Sequence, residues 1–232
     1  MVVIPHRQRG DLLQRALASV EGWPVHVEDD TAGPGRGFAV AANAGLEHAQ
    51  RAGHDRVLLL NDDAWLQDGA LDALLEVDAE LVGPLLLDPS GRIESAGLDF
   101  SYSTGRLKQR TSAPSGPAEV PALSGACLLM PSSARFDTGF RHGMEDIDLC
   151  LRSEGRVVLQ PHARCIHVGG GTVGRRTRAA TREALRGHLR LLRGRPLQQA
   201  AAVGYALGQV VRERGPASRL VGLAQALRLG SP

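Results

Sequence analysis

The sequence lacks several features that mark particular protein classes. Its three cysteines form no Cys-x-x-Cys pair, so neither a disulfide framework nor a thiolate zinc site is predicted. It contains no run of about 20 uninterrupted apolar residues, which excludes a membrane-spanning helix. The apolar run after Met1 is too short for a secretion signal. We therefore expect a cytoplasmic protein with reduced thiols.

Charge is distributed unevenly along the 232 residues. A hydrophobic content of 43% and a charged content of 22% are typical of a globular protein. Residues 172–232 carry twelve arginines, no lysine and two acids, a net charge of +10, which leaves −8 for the rest of the chain. Such a division is typical of a basic tail that meets an anionic partner. We predict a main domain over residues 1–172 and a basic helical appendage over residues 173–232.

Strand-like apolar runs alternate with helix-like periodicity in the first 87 residues. Strands are predicted at 2–4, 25–27, 56–60 and 81–87, and helices at 11–20, 38–49 and 68–77. Pro5 is expected to end the first strand, and Asp68 is the predicted N-cap of the third helix. This order implies βαβ units and an α/β fold with a mostly parallel central sheet flanked by helices.

The second half of the chain is less regular. Residues 88–122 are rich in Ser, Gly, Pro and Arg, and irregular hairpins are predicted there. The remaining predictions are a short helix from Pro131, a helix at 144–153, strands at 157–159 and 165–168, and a helical tail.

Acidic and amide side chains follow the predicted strands. Asp29 and Asp30 come after the second strand, and Asn61, Asp62 and Asp63 come after the third. Open parallel sheets bind ligands outside the carboxyl ends of their strands, so we expect these residues to meet at one edge. Turn and capping chemistry favours the same residue types and is the alternative. Because Mg²⁺ and Mn²⁺ prefer carboxylate and phosphate oxygens, Asp63 is the candidate ligand for a divalent cation.

A second acidic cluster opens a predicted helix. It consists of Glu145, Asp146 and Asp148, with His142 just before it. Acids in a first turn are stabilised by the helix dipole, and Asp148 is spaced for an ion pair with Arg152, so a structural role explains Asp148. A carboxylate at a helix N-terminus that faces a cleft can also act as a general base toward an acceptor hydroxyl.

Two histidines lie at the ends of predicted strands. His167 comes shortly before three glycines, and His6 follows Pro5. An imidazole at a strand end can complete a metal shell. A purely structural histidine is the alternative at both positions.

The tail contains a basic amphipathic helix. Its arginines fall at 182, 186, 190 and 193, and its leucines at 185, 189 and 192. The helix either packs on the body through its leucines or lies against a membrane surface. Nucleic acid is the least favoured partner, because no aromatic side chains are interleaved with the arginines.

Six stretches in consistent order resemble the family 2 glycosyltransferases of GT-A fold, especially rhamnosyltransferase-like bacterial members. They are VVIP at 2–5, VEDD at 27–30, GFAVAANAGL at 37–46, LNDDA at 60–64, GACLL at 125–129 and GMEDIDLCLR at 143–152. His167 matches the histidine that often closes the family's core. The resemblance covers roughly residues 1–172.

The resemblance implies a GT-A type (Rossmann-like) fold and an inverting transfer, of hexosyltransferase type, from a nucleoside diphosphate sugar to an acceptor hydroxyl. It implies Asp146 as the general base, Asp63 and His167 as ligands of Mn²⁺ or Mg²⁺, and Glu145 and His142 on the acceptor side. The donor-binding residues it implies are Pro5, His6, Arg9, Asp29, Asn43, Asn61 and Asp62.

The partners expected on this basis are the sugar donor and a saccharide, lipid-linked or small-molecule acceptor. Peripheral contact of the basic tail with the inner face of the membrane and a homodimer are further expectations. Nucleic acid is not an expected partner.

Two other functions stay open from the sequence. A nucleotidyltransferase of similar fold would need a Gly-rich basic loop after the first strand, and the segment His6 to Gly10 is basic but not Gly-rich. A non-catalytic nucleotide-sugar-binding protein is the second alternative. Release of a nucleoside diphosphate would distinguish glycosyl transfer from both.

Overall fold

The computed structural model describes residues 1–7, 10–33, 35–140, 143–169 and 178–212, and the single positions 220, 224, 225 and 227. The strands are β1 (Val2–His6), β2 (Val25–Asp29), β3 (Arg56–Leu60), β4 (Ala64–Leu66), β5 (Leu81–Leu87), β6 (Ile93–Ser95), β7 (Leu98–Phe100), β8 (Leu107–Gln109), β9 (Ala118–Glu119), β10 (Cys127–Pro131) and β11 (Val157–His167). The helices are α1 (Leu12–Ala18), α2 (Phe38–Arg51), α3 (Ala70–Leu75), α4 (Glu145–Arg152), α5 (Arg178–Leu191) and α6 (Pro196–Arg212). Within these ranges, no helix is long and apolar enough to cross a membrane.

Nine strands form one sheet, and β7 and β8 form a separate hairpin. The main path is β2-β1-β3-β10-β5-β11-β4, with β6 paired to β5 and β9 paired to β11. Strand β1 runs parallel to β2 and β3, and β5 runs parallel to β11. Strand β10 is antiparallel to both of its neighbours, β3 and β5. The sheet is therefore mixed, with the parallel strands that the sequence predicts.

Helices cover both faces of this sheet. Val57 and Leu59 belong to a core cluster that includes residues of α2 and α4. Leu58 and Leu60 belong to a second cluster that includes residues of α1 and α3. Alternate side chains of a strand point to opposite faces, so β3 lies in the middle of three layers. The α/β architecture predicted from the sequence is confirmed.

Some predicted boundaries are wrong for identifiable reasons. Pro5 lies inside β1, where it is tolerated because β3 pairs only with Val2 and Val3, so the missing N–H is not needed on that side. Helix α3 begins after Gly69, which is its N-cap, and Asp68 does not occupy that position. Pro131 ends β10, and no helix lies in residues 131–140.

Strand pairing also corrects the prediction for the last part of the body. The two strands predicted at 157–159 and 165–168 are one strand, β11, with a register shift between Gln160 and Arg164. Strand β4, which was not predicted, pairs with the end of β11 and aligns His167 with Ala64. This pairing matters because Ala64 directly follows Asp63.

The described part of the basic tail packs on the body. We call α5 and α6 together the C-terminal arm. Leu185 and Leu192 are 4% and 0% exposed, and Leu192 packs with Phe100 of the β7–β8 hairpin. The His188 ring also hydrogen-bonds the carbonyl oxygen of Gly105 in that hairpin. Packing on the body through the leucines is therefore borne out only in part, because Leu185 and Leu189 pack against α6 within the arm, and Leu192, just after α5, packs on the hairpin of the body.

Candidate active site

Two of the predicted acidic segments are linked through the turn that leads into β10. The backbone N–H of Asn61 donates to the carbonyl oxygen of Ala126 at 2.9 Å. The backbone N–H of Gly125 donates to Asp146 Oδ2 at 2.8 Å. A Cβ on Gly125 would lie 3.1 Å from Asp146 Cβ, so glycine permits this close approach. Residues at the end of β3 and the start of α4 therefore belong to one site.

Asp62 ties the end of β3 to the end of β1. Its Oδ2 lies 2.9 Å from His6 Nδ1 and accepts the backbone N–H of Arg7 at 2.8 Å. In the sheet register, His6 is paired with Asp29 of β2. The structure therefore brings together three predicted donor-binding residues at one sheet edge: His6 of β1, Asp29 of β2 and Asp62 in the turn after β3.

The loop after β2 is organised by its own acids. Asp29 is exposed and its Oδ1 accepts the N–H of Thr31 at 2.8 Å, and this bond holds the pKa of Asp29 below its usual value. Buried Asp30 accepts two bonds from the backbone N–H of Arg36 and one from its guanidinium. Asp30 therefore shapes the loop, while the Asp29 side chain stays accessible.

Asp63, His167 and Glu94 form a chain of three ionisable groups. Asp63 Oδ1 lies 3.4 Å from His167 Nε2, and Glu94 Oε2 lies 2.9 Å from His167 Nδ1. Burial alone would lower the pKa of His167. Its bonds to Asp63 and Glu94 have a larger, opposite effect and raise the pKa to about 10. For Asp63, burial opposes ionisation, and the contact with His167 nevertheless lowers the pKa.

The Asp63–His167 pair has the chemistry and spacing of two cation ligands. Ligand atoms about 2.1 Å from an octahedral ion lie about 3 Å apart, close to the separation seen here. Glu94 bonded to Nδ1 is a second-shell arrangement that orients the ring, and a metal would replace the Nε2 proton that now faces Asp63. Among the described residues, no group of three or more His, Cys, Asp or Glu side chains could hold a metal. A cation here would thus take its other ligands from water or substrate.

Asn61 also has an unsatisfied atom at this edge. Its Oδ1 is buried and has no hydrogen-bond partner among the described residues. Buried polar atoms without partners are uncommon and require an explanation. A donor group on a bound ligand is one explanation that fits the position of Asn61, next to Asp62 and Asp63.

Helix α4 begins at an unusual backbone position. Among the described residues, Met144 is the only non-glycine with positive φ, at 76°. The left-handed conformation costs such a residue about 1–2 kcal/mol. It positions Glu145 and Asp146 at the first turn of α4, immediately beside the Gly125 turn. Strain of this kind is concentrated at functional sites.

The two acids of α4 differ in surroundings. Asp146 keeps partial exposure and its two oxygens accept the backbone N–H groups of Gly125 and Ile147. Glu145 is 6% exposed, and its Oε2 has no partner within the described part of the chain. Burial, followed by repulsion from Asp146, raises the pKa of Glu145 to about 7. Burial also raises the pKa of Asp146.

The C-terminal arm forms a wall beside these acids. A Cβ on Gly187 of α5 would lie 3.0 Å from both Gly143 O and Met144 Cγ, so only glycine fits without a shift. Three residues further on, Arg190 donates to Asp137 at 2.7–3.0 Å and stacks over Phe140 at 5.3 Å. The arm therefore braces the segment that leads into α4.

Other predicted residues have mixed outcomes. The Asn43 amide donates to and accepts from the backbone of Phe136, both at 2.9 Å, and this gives it a structural role. Asp148 pairs with Arg152 at 2.7 Å, which confirms its structural interpretation. Pro5 lies in β1 beside His6. Arg9 and His142 lie outside the described residues.

Sequence reasoning missed Glu94. It lies on β6, which pairs with β5 inside the region predicted as irregular hairpins. A lone glutamate between Ile93 and Ser95 has no spacing that relates it to Asp63 or His167. Only the alternation of side chains on β6 hinted at a strand there.

The sequence matches no protein-family model and no curated protein. Its fold is similar to solved structures. The structure of GalNAc-T7 with UDP, GalNAc and Mn²⁺ has a TM-score of 0.61 at 16% identity, covering 82% of this chain and 47% of that chain. Staphylococcus aureus TarS in complex with UDP has a TM-score of 0.51 at 13% identity, covering 87% of this chain and 68% of that chain. This chain thus spans about half the length of the GalNAc-T7 chain.

Identity this low is informative about fold alone. Both neighbours are GT-A enzymes, and the mixed sheet with helices on both faces is the GT-A, Rossmann-like architecture. The expected fold class is confirmed.

Proposed function

We propose that this protein is a metal-dependent inverting glycosyltransferase of the family 2, rhamnosyltransferase-like type. It would move a sugar from a nucleoside diphosphate sugar to an acceptor hydroxyl. The observation that carries the proposal is the pairing of Asp63 with a Glu94-oriented His167, close to the separate acid pair on α4. The UDP found in the neighbouring structures supports a nucleotide-sugar donor.

The donor would lie along the edge formed by β1, β2 and β3. Asp29 is accessible there and suits a contact with the nucleotide base or ribose, while Asp62 fixes His6 beside it. Asp63 and His167 would hold Mn²⁺ or Mg²⁺, whose role when bound is to neutralise the charge of the departing diphosphate. Asn61 Oδ1 would accept a hydrogen bond from the donor.

Asp146 would accept the proton of the acceptor hydroxyl. The acceptor oxygen forms a bond to the anomeric carbon as the bond from that carbon to the diphosphate breaks, and the diphosphate leaves with the electron pair. Partial exposure and anchoring by two N–H groups support Asp146 in this role. Buried Glu145, with a pKa raised to about 7, would be partly protonated near neutral pH, and this would reduce its repulsion of an ionised Asp146.

Attack from the side opposite to the leaving group inverts the anomeric centre. The acceptor would therefore enter from the α4 side, between the Gly125 turn and the wall formed by α5. A saccharide, a lipid-linked sugar and a small-molecule hydroxyl remain the acceptor classes.

A donor screen followed by product analysis tests the proposal. Nucleoside diphosphate sugars are added with Mn²⁺ or Mg²⁺, and a ligand present at 100 times its dissociation constant should stabilise the protein by about 2.7 kcal/mol. Turnover should then release a nucleoside diphosphate, either to an acceptor or slowly to water. Release of pyrophosphate would indicate nucleotidyl transfer instead, and metal-independent donor binding would contradict the assignment of Asp63 and His167.

A further inference from the structure

Helix α6 exposes apolar side chains. Leu197 is 83% exposed, Tyr205 is 52% exposed and Leu207 is 40% exposed. In the same helix, Gln199 is half-buried and donates to the carbonyl oxygen of Leu189 at 2.9 Å. A surface helix usually exposes polar residues and buries a single apolar stripe, so the apolar side chains on the outward face of α6 are unusual.

The outward face of α6 is continuous and uncharged. No charged residue occurs between Arg195 and Arg212. The inward face is also apolar, with Ala202 5% exposed and Val203 packed against Leu185 of α5. A helix that is apolar on both faces needs a partner on its free side, and rimmed apolar patches mark protein or membrane contact sites.

Basic and amphipathic residues surround this face. Arg195 stacks on Tyr102 at 5.2 Å, and Arg106 of the β7–β8 hairpin stacks on Tyr205 at 5.3 Å. These are the only two tyrosines of the chain. Tyrosine and arginine are the side chains that suit a membrane–water interface, because each combines an apolar body with a polar end.

The positive charge of the C-terminal arm favours an anionic partner for the outward face of α6. Residues 178–212 carry seven arginines and one acid, a net charge of +6. Two copies of the arm placed face to face would repel each other, which disfavours a second copy of this chain as the occupant. An anionic bilayer attracts the same charges.

We propose that the outward face of α6, together with the tip of the β7–β8 hairpin, docks on an anionic lipid bilayer. Leu197 and Leu207 would enter the boundary between head groups and acyl chains, and Arg106 and Arg195 at the edge of this face would contact lipid phosphates. The contact leaves α5 on the body, where Gly187 touches the segment that leads into Glu145 and Asp146. One consequence rests on the proposed function of those acids. If Glu145 and Asp146 act on the acceptor, the acceptor side lies near the lipid surface and suits a lipid-linked acceptor.

Vesicle co-sedimentation of the full chain tests the docking directly. Vesicles of phosphatidylcholine alone are compared with an equimolar mixture of phosphatidylcholine and phosphatidylglycerol. We expect binding to the anionic vesicles only, and binding that falls steeply as salt is raised from about 0.1 M to about 1 M. Equal binding to both vesicle types, or no binding to either, would overturn the proposal.

A double variant locates the contact on α6. Leu197→Glu with Leu207→Glu should weaken partitioning into anionic vesicles at least about tenfold, since two buried leucines and two new repulsive charges are involved. Leu75→Glu is the matched control, because Leu75 is 45% exposed on α3, on the other face of the sheet. It should bind like the unmodified protein.

The outcomes separate this proposal from the proposed function. Donor binding, measured by thermal shift without vesicles, should be unchanged in the double variant, so a failure of docking says nothing against sugar transfer. If the unmodified protein is a dimer and the double variant a monomer by light scattering, α6 is a subunit interface and the lipid proposal is wrong.

Discussion

Asp63 and Glu145 are both buried carboxylates, at 5% and 6% exposure, and both lie in the candidate site. Their surroundings differ in one respect. Asp63 faces the imidazole of His167, which lowers its pKa despite burial. Burial, followed by repulsion from Asp146, raises the pKa of Glu145 to about 7, and Glu145 Oε2 has no partner among the described residues that could offset this.

The comparison shows that one residue type supports two chemistries in the same site. A carboxylate kept ionised beside an oriented imidazole suits a cation and a phosphate. A pair of carboxylates that repel each other holds one proton between them and suits proton transfer. Burial raises the pKa of both acids, and the imidazole partner that only Asp63 has reverses this effect, so the two acids support different chemistries.

Asp146→Asn is the sharpest test of the proposed proton transfer by the α4 acids. The amide keeps the shape of the side chain but cannot accept the acceptor proton, so we expect kcat to fall by about 100- to 10,000-fold. Donor affinity should stay within about twofold, because the donor side is not touched. Asp148→Asn is the matched control on the same helix and should keep nearly full activity. An Asp146→Asn enzyme with normal kcat would show that the base lies elsewhere.

Glu94→Gln tests whether Asp63 and His167 bind a metal ion. Neutral glutamine holds His167 less firmly, and loss of such a second-shell partner weakens metal affinity by about 10- to 100-fold. Mn²⁺ titration in the presence of UDP measures the effect. Glu119→Gln is the control, since Glu119 is an exposed acid that pairs with Arg156. Unchanged Mn²⁺ affinity in Glu94→Gln would remove Glu94 from the site.

The raised pKa of Glu145 predicts a pH-dependent stability difference. Between its usual pKa of 4.5 and about 7, the unfolded chain loses the Glu145 proton while the folded protein keeps it, so this group makes the protein less stable as pH rises. Glu145→Gln removes that loss. We expect the variant to match the unmodified protein near the lower of these values and to exceed it by roughly 1–3 kcal/mol above the higher one. Denaturant unfolding at several pH values measures this, and parallel curves would contradict the assignment.

The smallest effect on transfer is expected for Asn43→Ala. Asn43 satisfies both backbone groups of Phe136, and their loss should reduce the free energy of unfolding by about 1–3 kcal/mol. Donor affinity and kcat of the folded fraction should be unchanged. A specific loss of donor affinity, without loss of stability, would show that Asn43 binds the donor, as the sequence predicts.

Much of the fold follows from local sequence patterns. The apolar run Arg56–Leu60 predicts a strand buried on both faces, and Asn61, Asp62 and Asp63 at its end predict a polar site at the sheet edge. Both features depend on neighbouring residues in the chain, which a single sequence displays directly. The position of Asp63 at this edge therefore follows from the local pattern, without any knowledge of its partners.

The rest of the site depends on pairing between distant segments. Strand β4 has three residues, and only its pairing with β11 makes it a strand and sets His167 near Asp63. Glu94 reaches His167 because β6 pairs with β5. Likewise, nothing in the spacing of Gly187 shows that it touches Met144. Such contacts between distant segments are set by tertiary packing, which overrides local propensity.

The most direct test of the two-chemistry account is to locate Mn²⁺ by anomalous diffraction in a crystal of the protein with MnCl₂ and UDP. We predict one anomalous peak within bonding distance of Asp63 Oδ1 and His167 Nε2 and in contact with the diphosphate, with no peak at Glu145 or Asp146. A manganese ion bound by the α4 acids, or UDP bound without a metal at Asp63, would contradict it.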